Sequence, residues 1–290
     1  MRSKIIIIFL FLFSNSFLFA ENLKIESKNI TLDKNKEISI FQNQVNVTTE
    51  SGNKIKSEYA EYNKKLSFIK FEKNIIAVDK KNNRIETEYA EYSDISKVFI
   101  SKGKTNIFTT EQYEIVGSNI TLDNKKGIIK SQDEAVITDK ENNKIFLDNF
   151  EYQTKDNIFK SIGLIKIEDK MKNVYEFSQI YIDTKKKEIL GTDIKTYLNN
   201  KDFKIDKRNK PRVFANSLKL SNKQSSFNKS VFTLCDYRKN DKCPPWSLQA
   251  KQMFHDKKKK TIYYDNAVIK VYDLPIFYLP KLSHPDPSVE

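Results

Sequence analysis

Apolar residues in this chain come in short runs that alternate with polar ones, and the alternation itself repeats. The segment IKSEYAEYN starting at Ile55 returns thirty residues later as IETEYAEYS at Ile85. Stepping by thirty in both directions finds IESKNITLD at Ile25, IVGSNITLD at Ile115, IFLDNFEYQ at Ile145 and YEFSQIYID at Tyr175. Two more copies, VFANSLKLS at Val213 and LQAKQMFHD at Leu248, follow at longer spacing, which places insertions after about residue 190. Self-similarity at a fixed period is the signature of a repeat architecture. Ile, Val, Phe, Tyr and Thr dominate each unit and no window carries a sustained helical stripe, so the units read as strands. Within a unit the phase slips: Ile25 and Ser27 share one parity and Ile30 and Leu32 the other, as do Ile55 against Ala60 and Tyr62. A strand that keeps one face buried must bend or bulge at the slip. A second apolar segment follows in each unit, as at Val45 and Val47, Ile75 and Ala77, or Ile165 and Ile167.

Turn residues fall at fixed repeat positions. Asp33-Lys34-Asn35-Lys36, Asn63-Lys64-Lys65, Asp123-Asn124-Lys125-Lys126, Asp183-Thr184-Lys185-Lys186 and Asp256-Lys257-Lys258-Lys259 mark one end of the unit, and Asn82-Asn83 and Asn142-Asn143 the other. Asn tolerates the positive φ of a tight hairpin. The lysine runs read first as solvated hairpin tips that deter edge pairing, and second as a patch for anionic headgroups. Because each unit must cover its apolar side with a neighbour, the pattern predicts an all-β fold. We expect an elongated, folded-over antiparallel sheet of stacked ~30-residue repeats, a jelly roll or V-shaped trough, with residues 25–33 and their equivalents as neighbouring strands. A parallel β-helix is the alternative, although its coils usually take fewer residues.

Composition sets the compartment. Arg2 and Lys4, the apolar run Ile5 to Phe13 and the small residues Ser14, Ser16 and Ala20 follow the layout of a secretory signal, so residues 1–20 are expected to be removed on export. The run is too short for a spanning helix, which needs about 20 apolar residues. The formal net charge of +13 comes from Lys, with only five Arg among 51 basic residues, and bidentate recognition of bases and phosphates favours Arg, so nucleic acid is not an expected partner. Cys235 and Cys243 are the only cysteines, and an oxidising compartment predicts disulfides for both while leaving their partners open.

Catalysis finds little support. His255 and His284 are the only histidines and neither has metal-ligand spacing to Cys, Asp or Glu. The pairs Glu58 with Glu61 and Glu88 with Glu91 lie in repeated strands among many lysines, where solvated faces are the simpler reading. The chain is expected to be no enzyme and to need no cofactor or metal.

After residue 230 the sequence departs from the plain repeat: Cys235, then CPPWSLQAK from Cys243, then LPIFYLPKLSHPDPS from Leu274 to Ser288. This resembles the N-terminal domain of the LptD family, outer-membrane proteins of lipopolysaccharide assembly, in which a cysteine-bearing loop precedes a Trp and an Ala-Lys pair. There, a segment rich in Pro, Tyr and Leu ending in Ser-His-Pro leads to the barrel. The thirty-residue units resemble the LptA-like repeats of the same export system. The resemblance implies a domain layout of 21–200 as LptA-like repeats, 201–273 as their continuation with a cysteine insertion, and 274–290 as a connection toward a barrel. In that connection Pro275, Pro280, Pro285 and Pro287 are expected to stop regular strand pairing. In a complete LptD either cysteine could pair with the barrel; for the isolated chain a Cys235–Cys243 bond is favoured.

The function so implied is a periplasmic lipid conduit, associated with the outer membrane, that accepts lipopolysaccharide from a bridge protein of LptA type and passes it on. The bridge protein would add a strand at the N-terminal edge, and an outer-membrane lipoprotein partner would join if a barrel is present. Candidate lining residues are Ile55, Ile75, Ile85, Ile107, Ile115, Ile137, Ile145 and Ile167, columns that recur in register across several units. Parity alone leaves open which of them face inward. Alternatives are a free-standing bridge of LptA type, or a non-enzymatic structural or carbohydrate-binding solenoid.

Overall fold

The computed structural model describes residues 23–33, 37–170, 172–198, 211–221, 223–235 and 244–285, so the expected signal segment and Cys243 lie outside the described residues. The first half of the chain forms strands β1 (Lys24–Glu26), β2 (Asn29–Asp33), β3 (Ile38–Thr48), β4 (Lys54–Asn63), β5 (Phe68–Val78), β6 (Arg84–Ser93), β7 (Val98–Phe108), β8 (Glu114–Ser118), β9 (Thr121–Asp123), β10 (Ile128–Ser131) and β11 (Ala135–Thr138). The second half forms β12 (Lys144–Leu147), β13 (Phe150–Gln153), β14 (Ile158–Glu168), β15 (Val174–Asp183), β16 (Glu188–Tyr197), β17 (Arg212–Leu220), β18 (Gln224–Thr233), β19 (Trp246–Asp256), β20 (Thr261–Val271) and β21 (Leu274–Pro285). Among the described residues they make one all-antiparallel sheet in which the chain runs as a meander.

This register excludes the β-helix and corrects one detail of the expected stack. Ile55 faces Val47 on one side and Ala77 on the other. The second apolar segment of each unit is a return strand lying between the IxxxYAxY strands, so equivalent positions are next-but-one neighbours. Antiparallel hairpins need only short tips, which the Asp/Asn/Lys clusters supply.

The phase slip is a line of bulges across the sheet. Register shifts between Gln42 and Val45, Lys56 and Tyr59, Glu72 and Ile75, and Ile162 and Ile165. Return strands carry the extra residue there in a left-handed conformation: Asn43, Lys73, Gly103, Gly163 and Asp193 all have positive φ and lie on the thirty-residue grid. At Gly163 φ is 125°, a region closed to most side chains. Such a bulge bends the strand, and the bends in line fold the sheet along its length. Backbone groups freed at the bend are taken by hydroxyls at the same repeat position: Ser131 Oγ donates to the Ser118 carbonyl and Ser161 Oγ to that of Asn149, each at 2.7 Å.

Both halves of each strand bury the same face, so the core lies inside the fold. Beside the bend, Phe41, Ala60, Phe71, Ala90 and Ser101 follow one another across the ladder, large beside small. This alternation lets each ring fill the space above its small neighbours at native packing density. Gly191 serves the same purpose for Phe177, whose ring lies where a Cβ would stand, 2.5 Å from it. One large cluster runs from Phe41 to Leu218, and a second, around Val213, Ala250, Met253, Tyr264 and Ala267, continues it toward the C-terminal edge.

Three of the four prolines do not end pairing as expected, and Pro287 lies outside the described residues. Pro275, Pro280 and Pro285 lie within β21, which pairs with β20 from Val271↔Leu274 to Thr261↔Pro285. An edge strand leaves half of its N–H groups unpaired in any case, so Pro is tolerated there, and the register shifts between Ile269 and Lys270, beside Pro275. Leu274, Ile276, Phe277 and Tyr278 on this edge are exposed.

Candidate functional site

The fold places the eight candidate isoleucines on its inner face. Ile55, Ile75, Ile85, Ile107 and Ile137 are buried, and Ile115, Ile145 and Ile167 are half-buried and packed against the same cluster. Adjacent members meet across the ladder as Ile85↔Ile107, Ile107↔Ile115, Ile115↔Ile137, Ile137↔Ile145 and Ile145↔Ile167. The result is an unbroken aliphatic column on the half of the sheet beyond the bend. Tyr62, Ile69, Tyr92 and Phe99, on the other half of the sheet, belong to the same buried cluster. Ile75 lies nearer the bend and is 1 % exposed. The interior is therefore shut, its walls in contact, rather than an open trough. It also holds a polar island: Thr105 Oγ1 bonds Ser101 Oγ at 2.7 Å and Thr87 Oγ1 at 3.3 Å, all three buried.

Opposite the bend, two rows of hairpin tips form the lips of the interior. On one lip the turns share a built geometry. Asp79 accepts from the Lys81 and Asn83 amides through Oδ1 and from Asn83 Nδ2 through Oδ2. Asp139 does the same with Glu141 and Asn143, and Asp169 holds Asn173 likewise. The Asn side chain then stitches one repeat to the next, Asn83 Oδ1 accepting from the Thr110 amide and Asn143 Oδ1 from the Lys170 amide. Acids and lysines are mixed here, with Glu50, Glu111 and Glu141 beside Lys80, Lys81 and Lys140.

The other lip is cationic. Lys64, Lys65, Lys125, Lys126, Lys185, Lys186 and Lys187 and the run Lys257 to Lys260 are exposed on alternate tips. Lys125 Nζ donates to the Ile95 carbonyl at 2.6 Å and Lys155 Nζ to that of Lys125 at 2.9 Å, which ties each tip to the one before. Asp123 and Asp183 are held below the usual carboxylate range, chiefly by the backbone amides of Lys126 and Lys186 and then by those ammonium groups.

The two lips meet. Lys97, on the tip between β6 and β7, places Nζ 2.7 Å from Asp94 Oδ1 and 3.4 Å from Oε2 of Glu50, which belongs to the opposite lip. Burial, then Asp94 and more weakly Glu50, push the Tyr92 hydroxyl well above its ordinary value, and that hydroxyl donates to Asp94 at 3.3 Å. Sequence reading missed this contact because nothing marks two turn residues 47 positions apart as partners.

Other singled-out residues have structural settings. Glu91 pairs with Lys102 and accepts from the Tyr89 hydroxyl, a cross-strand ion pair on the sheet. His284 stacks on Tyr264, with Nε2 3.1 Å from its hydroxyl. Trp246 meets Phe232 edge to face. Cys235 is half-buried with a free thiol, its amide bonded to Thr233 Oγ1. Its expected partner Cys243 lies outside the described residues.

No protein-family model matches this chain, and no curated protein matches it. Among solved structures it is similar to LptH of Pseudomonas aeruginosa, described as the LptA-homologous periplasmic component of the lipopolysaccharide transport device. The two share 14 % identity over 58 % of this chain and 79 % of that one, with a TM-score of 0.16.

Proposed function

We propose that this chain is a periplasmic lipid-conduit domain of lipopolysaccharide transport, of LptD type. The observation that carries this reading is the aliphatic column from Ile85 through Ile107, Ile115, Ile137 and Ile145 to Ile167, which continues in register from one repeat to the next. Each methylene moved from water to such a surface contributes roughly 0.8 kcal/mol. Because successive repeats offer nearly the same environment, acyl chains can shift along the column with little change in free energy, which suits transport better than storage. The inner face is buried, so loading requires the two halves of the sheet to part at the lips. Among the described residues the N-terminal edge, β1 and β2, pairs on one side only, with β3, and is the expected place for a strand added by an upstream bridge protein. A free-standing bridge of LptA type is the second reading, favoured by the apolar edge at β21, exposed among the described residues, where a further strand could dock. Photo-crosslinkers at Ile115, Ile145 and Ile167 during active export test the proposal. Capture of lipopolysaccharide there supports it; capture only by probes on the Lys-rich tips means that lipid travels outside the repeats.

A further inference from the structure

The lips differ in charge, and where they touch, the contact is an ammonium of the cationic lip holding a carboxylate of the other. The two halves of that contact are unequal. Lys97 to Asp94 is short, within one turn, and Asp94 is steadied by the Tyr92 hydroxyl. Lys97 to Glu50 is longer, and the Glu50 side chain is 58 % exposed. Asp94 thus fixes the ammonium, while the longer contact to Glu50 is the one that another anion can take over. A phosphomonoester carries roughly −1.5 to −2 charges at neutral pH and three acceptor oxygens, and so outcompetes a single exposed carboxylate. Lys125, bonded to the Ile95 carbonyl of the same turn, brings a second ammonium to this tip. Immediately inside the lip, Tyr92 and Phe99 belong to the buried inner face. An amphiphile with its phosphate on Lys97 would therefore have its acyl chains at the start of the apolar interior.

We propose that Lys97 is the phosphate-binding position of the lips: Glu50 contacts it in the structure, and the phosphate of a multiply acylated amphiphile displaces Glu50, releasing one lip from the other as the lipid is taken up. This inference rests on the lipid-conduit reading and adds to it a headgroup requirement and a latch.

The test uses the full chain with three probes: a bis-phosphorylated, multiply acylated disaccharide, its dephosphorylated counterpart, and inorganic phosphate. Spin labels at Ser51 and Ser96 report the separation of the lips. The phosphorylated lipid should bind about tenfold more tightly than the dephosphorylated one and separate the labels. Lys97→Gln should abolish that preference and separate the labels without any lipid, with circular dichroism confirming the fold. Glu50→Gln should raise affinity for the phosphorylated lipid about threefold, the scale of an exposed ion pair. Equal binding of both lipids, or a preference that survives Lys97→Gln, overturns the latch and leaves the conduit reading standing. Binding of neither lipid overturns both. Label separation by inorganic phosphate alone identifies a general anion site and overturns the assignment to a lipid headgroup.

Discussion

At Phe71 the ring is fully enclosed, flanked across the ladder by Ala60 and Ala90, whose small side chains make its space. Phe71→Ala should cost about 3–5 kcal/mol, transfer and cavity together, measured as a lower urea midpoint at unchanged slope. Enclosure also limits what substitutions can say about transport. A charge at Ile75 would lie in a dry interior and unfold the domain, so lipid passage is better probed at the half-buried Ile115, Ile145 and Ile167. Tyr264 gives a pH test. Burial raises its hydroxyl from 10.0 to about 12, so folding favours the protonated phenol. The associated stability is fully present below pH 10 and is lost as pH rises through about 12. Thermal midpoints between those values should fall less steeply in Tyr264→Phe than in the native chain.

Turns and bends are where single elements decide stability. Asp79 receives three hydrogen bonds inside its turn, and hydrogen bonds to a charged group contribute more than neutral ones. Asp79→Ala should therefore destabilise by about 2 kcal/mol, and combining it with Asp169→Ala should be nearly additive because the two turns are separate. Calorimetry of the single and double variants checks both statements. At the bend, a Cβ on Gly163 would meet Asp148 Oδ2 at 2.9 Å in addition to the strain of a φ of 125°. Gly163→Ala should cost about 1–3 kcal/mol, read from the same melts.

Across the whole molecule the repeat does two things at once: it extends one apolar column along the interior, and it places lysines on one lip while the other stays mixed. Both cysteines lie outside the repeat. We propose the Cys235–Cys243 bond for the isolated chain; closing a nine-residue loop should stabilise it by roughly 2.5 kcal/mol on the chain-entropy relation. A non-reducing peptide map and the drop in melting temperature on reduction measure this. A map showing either cysteine in another pairing would refute the local bond.

The period-two alternation, its slip within each unit and the thirty-residue repeat determined the class of fold, the hairpin tips and the bend, because strand period and turn chemistry are local properties of the chain. The same local reading could have found the return-strand bulges, since Asn43, Lys73, Gly103, Gly163 and Asp193 stand on the repeat grid. Burial of the isoleucine columns followed from the pattern, but their direction did not: parity says that two residues share a face, not which face is inside. Only the tertiary structure decided that the two halves close on each other, that Pro275, Pro280 and Pro285 are carried by an edge strand, and that Glu50 reaches Lys97. Each of these depends on how far the bulges turn the sheet and on which strand lies at its border. Those are sums over many residues, to which no single stretch of sequence has access.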